Sequence, residues 1–129
     1  MLQKIENYQN ALAQLVEAVA RYQKAPEDSL YRDGLIQRFE FTVELAWKSA
    51  KEYLEDQGTV LSIASPRGVM KEAYAVGMLE DGELWNSILT ARNLTSHVYD
   101  EATAIGIAQQ ICTEFLPPLQ ALAALYAES

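Results

Sequence analysis

The 129-residue chain contains one cysteine, Cys112, and one histidine, His97. A lone cysteine excludes an intramolecular disulfide and any cysteine-built zinc site. A lone histidine removes most histidine-rich metal sites. Carboxylate di-iron bundles need two Glu-x-x-His pairs, and the residue three positions before His97 is Leu94. No metal or cofactor is therefore expected. Basic residues are scarce as well: ten Lys and Arg against eighteen Asp and Glu leave a net charge of −8. That balance counts against a dedicated, non-specific nucleic-acid binder, whose affinity comes from neutralising phosphates, but leaves room for a small local basic site. No run approaches the roughly 18 consecutive apolar residues of a membrane span. The opening MLQKIENYQN alternates polar and apolar residues and has no apolar h-region of a secretory signal, so a cytoplasmic location is expected. Internal repeats, low-complexity tracts and charge blocks are absent too.

What is present is helical periodicity. Half the residues are apolar and 22% charged, the composition of an ordinary folded domain, and the length suits one domain over 1–129. Leu2, Ile5, Leu12, Leu15, Val16 and Val19 form one stripe of a first helix, which ends near Lys24 because Pro26 disfavours a helical residue before it. Asp28 or Ser29 offers an N-cap for a longer helix over 29–57, with Leu35, Ile36, Phe39, Val43, Ala46, Trp47, Ala50 and Leu54 as its apolar set and Gly58 as its stop. The stretch 59–64 is the only candidate strand; it has no partner and reads as a connector. Ser65-Pro66 starts a short helix carrying Val69, Met70 and Tyr74 that stops at Gly77. Asp81 caps a fourth helix with Leu84, Trp85, Ile88, Leu89 and Ala91. Asp100 caps a last one with Ile105, Ala108, Ile111, Phe115 and Leu119, kinked where Pro117-Pro118 interrupts it. The expected fold is all-α: an antiparallel four-helix up-and-down bundle with one additional short helix.

The densest chemistry lies at the end of the fourth helix, where Arg92-Asn93-Leu94-Thr95-Ser96-His97-Val98-Tyr99 gathers an arginine, an amide, two hydroxyls, the histidine and a tyrosine. Two readings stand side by side. In one, a polar helix terminus satisfies its last carbonyls, with His97 favourably placed on the helix dipole. In the other, His97 moves a proton near neutral pH while Arg92 binds phosphate oxygens. Such a pair cleaves RNA without a metal: His97 assists attack by a ribose 2′-hydroxyl, and Arg92 stabilises charge growing on the phosphorane. On an ideal helix Arg92 and His97 lie roughly 140° apart, whereas Asn93 and His97 share a face. Either the arginine reaches round, or the helix loosens before His97, or two copies face each other across a two-fold axis and pool their side chains.

The Arg-x4-His-x-Tyr segment resembles the signature of the HEPN superfamily (higher eukaryote and prokaryote nucleotide-binding domains). The blocks from Arg38 to Lys48, Ser65-Pro66-Arg67, Asp81 to Trp85 and Arg92 to His97 together resemble its nucleotidyltransferase substrate-binding branch over nearly the whole chain. The resemblance implies a helical bundle that forms a homodimer and partners a minimal nucleotidyltransferase. It also implies that Arg92, Asn93 and His97 belong to a metal-independent RNase site of a toxin–antitoxin pair. Tyr99 matches the tyrosine that receives AMP in some such pairs.

Around Trp47, the apolar stripe reads as core, and Glu44 and Lys48 at i, i+4 make a solvated pair. The functional alternative has Arg38, Glu44 or Lys48 lining a groove that faces a second subunit or a nucleotide. Three functions follow: an RNase toxin, a non-catalytic subunit that presents nucleotide or substrate to the transferase, or a plain helical scaffold.

Overall fold

The computed structural model describes residues 2–96 and 100–128. Among them all regular structure is helical: α1 (Gln3–Lys24), α2 (Ser29–Asp56), α3 (Pro66–Ala75), α4 (Gly82–Thr95), α5 (Glu101–Gln110) and α6 (Leu116–Glu128), with a π-helical turn over Ile111–Phe115 joining the last two. The bundle is all-α, as its periodicity requires, and the stretch 59–64 is a connector without strand pairing.

Local chemistry sets most boundaries. The carboxylate of Asp28 accepts the Leu30 N–H at 2.9 Å, Ser65 Oγ accepts that of Gly68 at 3.1 Å, and Asp81 that of Leu84 at 3.0 Å. Each satisfies a backbone donor that the helix itself leaves free. Pro66 occupies the first position of α3, where a missing N–H costs nothing. α2 and α3 both end in a glycine with positive φ, +90° at Gly58 and +85° at Gly77. Behind them, Thr59 N–H reaches Leu54 O and Met78 N–H reaches Ala73 O, each at 2.9 Å, closing a left-handed cap that only glycine enters without strain.

α1 and α2 form the antiparallel pair on which the rest is laid. The buried face of α1 is Ile5, Tyr8, Leu12, Leu15, Ala18, Val19 and Tyr22. It is centred nearer Ala18 than the apolar stripe suggests, because α2 packs on that side: Arg38 and Thr42 of α2 reach the carbonyls of Gln14 and Ala11. Val16, expected in the core, therefore lies on the exposed edge. Tyr74, also expected inside, is exposed and lies against the face of Gly82.

The C-terminal helix closes the bundle over α1 and α2. Tyr8 donates its hydroxyl proton to the carbonyl of Leu119, Phe39 stacks on Phe115 at 5.7 Å, and the Tyr126 and Ser49 hydroxyls meet at 2.9 Å. The anticipated interruption at Pro117-Pro118 takes a different form. The backbone widens one turn earlier, and Leu116 N–H bonds to Ile111 O, five residues back. Both prolines then fall in the first turn of α6, where absent N–H groups and ring bulk are tolerated.

Candidate functional site

α4 lies beside α2 so that Leu89, Arg92 and Asn93 face Val43, Glu44 and Trp47, and the start of α3 closes one end with Ser65, Pro66 and Arg67. These residues line an open cleft of about 420 Å³. Its floor is built from the apolar stripes of α2 and α4. Its rim is polar, because Glu44, Arg92 and Asn93 are the residues that flank those stripes.

Glu44 is the hub of the rim. Its carboxylate accepts the Trp47 indole N–H at 3.2 Å, pairs with Lys48 Nζ at 3.3 Å, and stands 3.6 Å from the Arg92 guanidinium. Lys48 Nζ also sits 6.0 Å from the centre of the Trp47 ring, a weak cation–π distance. Arg92 is held from its other side by a 3.5 Å contact with Ser96 Oγ, and its Nε is buried without a hydrogen-bond partner among the described residues. The arginine is thus oriented by one carboxylate while lining the cleft. A planar guanidinium in that state suits a second, bidentate oxygen ligand such as a phosphate.

The other expected residues divide. Arg92, Asn93 and Glu44 come together in this cleft, and Lys48 stands next to it through Glu44. Arg38 does not join them. It lies on the opposite side of α2, donating at 2.8 Å to the Gln14 carbonyl and at 3.5 Å to Glu17 of α1. Six residues separate Arg38 from Glu44, which on a helix turns them about 120° apart. His97 and Tyr99 lie outside the described residues. α4 itself ends at Thr95, whose hydroxyl donates to the Arg92 carbonyl at 2.7 Å.

Two lining residues, Trp47 and Arg67, fall in blocks that carry the resemblance but are not among the expected site residues. Trp47 reads in the sequence as core, yet it is half-buried, with its ring edge in the cleft and its N–H on Glu44. Arg67 reaches across from α3 to α4, donating to Asn86 Oδ1 at 3.3 Å and Thr90 Oγ1 at 2.9 Å. The signals that could have found them are an indole paired with a carboxylate three residues before it, and an arginine next to a helix-starting Ser-Pro.

Comparison with known proteins places the chain in a family and a fold. Residues 3–127 match the family model described as nucleotidyltransferase substrate binding protein like. A probable ribonuclease HepT of Haemophilus influenzae is 33% identical over 81 residues, 60% of this chain and 56% of that protein, so the match spans little more than half of the relative's length. A solved Thermus thermophilus protein is 32% identical, with a TM-score of 0.77 over 92% of this chain and 97% of its own. An H. influenzae structure described as the substrate-binding domain of a nucleotidyltransferase has the same fold, with a TM-score of 0.80 at 23% identity over 95% and 98% of the two chains. So does a tri-AMPylated Shewanella oneidensis HEPN toxin solved with its MNT antitoxin, with a TM-score of 0.76 at 13% identity over the full length of both. By the extent of the family match, this chain belongs to the family of nucleotidyltransferase substrate binding protein like chains.

Proposed function

We propose that this protein is the HEPN-type partner subunit of a minimal nucleotidyltransferase in a toxin–antitoxin-like pair, and that its α2–α4 cleft is a metal-independent RNA-cleaving site. The observation that carries the reading is the placement of Arg92, oriented by Glu44 and lining an open cleft beside Asn93. In this mechanism Arg92 binds a phosphodiester and stabilises charge developing on the phosphorane, with Asn93 as a neutral hydrogen-bonding companion. His97, beyond the end of α4, takes the proton of the attacking 2′-hydroxyl or supplies one to the leaving oxygen. One chain holds a single histidine, whereas in-line cleavage profits from both an acid and a base. A homodimer with two copies of the motif across a two-fold axis meets that need. AMP attached to Tyr99 would bring a competing phosphate to Arg92 and silence the site. Ribonuclease and AMPylated-toxin relatives support this reading.

A second reading has its own support: the family's description as substrate-binding, and a carboxylate already pairing with Arg92, fit a subunit that presents nucleotide to the transferase without cutting RNA. Expression of wild type and His97→Ala separates the two. The RNase reading expects growth inhibition and EDTA-resistant RNA cleavage from the wild type, both lost in His97→Ala with an unchanged thermal midpoint. Equal toxicity of the two proteins overturns it. With a minimal nucleotidyltransferase of the proposed pair and ATP, intact-mass spectrometry should show AMP on the wild type and none on Tyr99→Phe.

A further inference from the structure

Arg67 differs from Arg92 in how its charge is balanced. Its two hydrogen bonds go to neutral acceptors on α4, Asn86 and Thr90, and no acidic side chain among the described residues pairs with it. It is exposed, yet moored, and it lines the same cleft as Arg92. Its position is also fixed from behind. A Cβ on Gly68 would meet the Ile63 carbonyl oxygen at 2.5 Å, so the connector lies directly against the first turn of α3 and sets where the next residue back, Arg67, projects. Thr90 and Asn93 share a face of α4 one turn apart, which places the mooring of Arg67 one turn before Asn93. On its far side, the groove between α3 and α4 carries Glu80, Asp81 and Glu83. These three carboxylates outnumber Lys71, which lines the same groove, so an anion is disfavoured on that side.

We propose that Arg67 is a second phosphate-binding residue of this cleft, taking the phosphate next to the one at Arg92, so that the ligand is a phosphate ester with at least two phosphates in series. This rests on reading the cleft as a phosphate-ester site and adds to it a second contact and a direction of entry. A single-stranded RNA and a nucleoside diphosphate share that chemistry, and the two probes distinguish them.

The test is binding of a fluorescent single-stranded RNA oligomer and, separately, of ADP to the full-length wild type, Arg67→Gln, Arg67→Lys and Arg92→Gln, across a salt series. Arg67→Gln is expected to weaken RNA binding about tenfold and to reduce the slope of log affinity against log salt by about 0.7, one single-strand phosphate contact. Arg67→Lys should keep the slope and recover part of the affinity, because it retains the charge but not the fork. Loss of ADP binding as well identifies a nucleotide as a second source of the same phosphates. RNA and ADP affinities unchanged in Arg67→Gln, with both reduced in Arg92→Gln, overturn the role of Arg67 and leave the cleft reading intact. A wild type that binds neither probe overturns both. Thermal midpoints within a few degrees of wild type keep misfolding out of the comparison.

Discussion

Glu44 shows how one carboxylate decides the character of the cleft. It is one-third exposed, as is Arg92, so their pair contributes little to folding, at most about 1 kcal/mol, and less in salt. Its effect is on ligand binding instead, since it competes with any incoming phosphate for the same guanidinium. Glu44→Gln keeps an acceptor for Trp47 and removes the competing charge. Phosphate-ester affinity should rise severalfold at low salt while stability changes by less than about 0.5 kcal/mol. Titration of ADP into wild type and Glu44→Gln, with thermal melts of both, reads the two quantities separately. Lys48, relieved of its partner, adds to the attraction. Sequence spacing alone exposed the Glu44–Lys48 pair, but nothing in it indicated that an arginine almost fifty residues later would share that carboxylate.

The helix boundaries were legible almost to the residue, because each is written in local chemistry: Asp28, Ser65, Asp81 and Asp100 as caps, Gly58 and Gly77 as left-handed stops. The exception is the C-terminal helix, where Pro117-Pro118 announced a disturbance but not its form. Whether the backbone kinks at the prolines or widens before them depends on packing, and Ile111 and Phe115, both buried, are the residues the π turn carries into the core. The cap of α5 bears directly on function, since it begins the helix that follows the motif segment. Asp100 accepts both the hydroxyl and the backbone N–H of Thr103, and these bonds hold its carboxyl below the ordinary 3.8. A carboxylate depressed in this way stabilises the fold above its unfolded value, and the contribution disappears as pH falls through the lower folded value. Asp100→Asn, still able to cap, should therefore melt below wild type at neutral pH, with the gap closing as the pH drops under about 4. Melting curves for both proteins between neutral pH and pH 3 check this.

At the scale of the whole molecule, the bundle is clasped by tyrosines that no periodicity argument placed in the core. Tyr8 and Tyr126 are buried, and burial pushes both phenols well above 10. A group whose folded pKa is raised gives full stability below its unfolded pKa and loses it as pH rises toward the folded one. Unfolding should therefore become markedly easier above about pH 10. Tyr126→Phe should be less stable at neutral pH, having left Ser49 with one partner fewer, but should lose stability less steeply in alkali. Denaturant midpoints between pH 8 and 11 measure both effects. Closure by these residues fixes α6 against α1 and α2, leaving the other face of α2 to receive α4 and form the cleft.

The sequence by itself determined the helical class, the caps and stops, and the motif, because these depend on interactions within a few residues along the chain. Only the tertiary structure decided which charged residues meet: Glu44 with Arg92, Arg67 with Thr90, and Arg38 turned away toward α1. Those outcomes depend on the rotation of each helix about its own axis. Helical period limits that rotation to a broad apolar arc, and it becomes definite only when side chains from distant parts of the chain interlock at close-packed density.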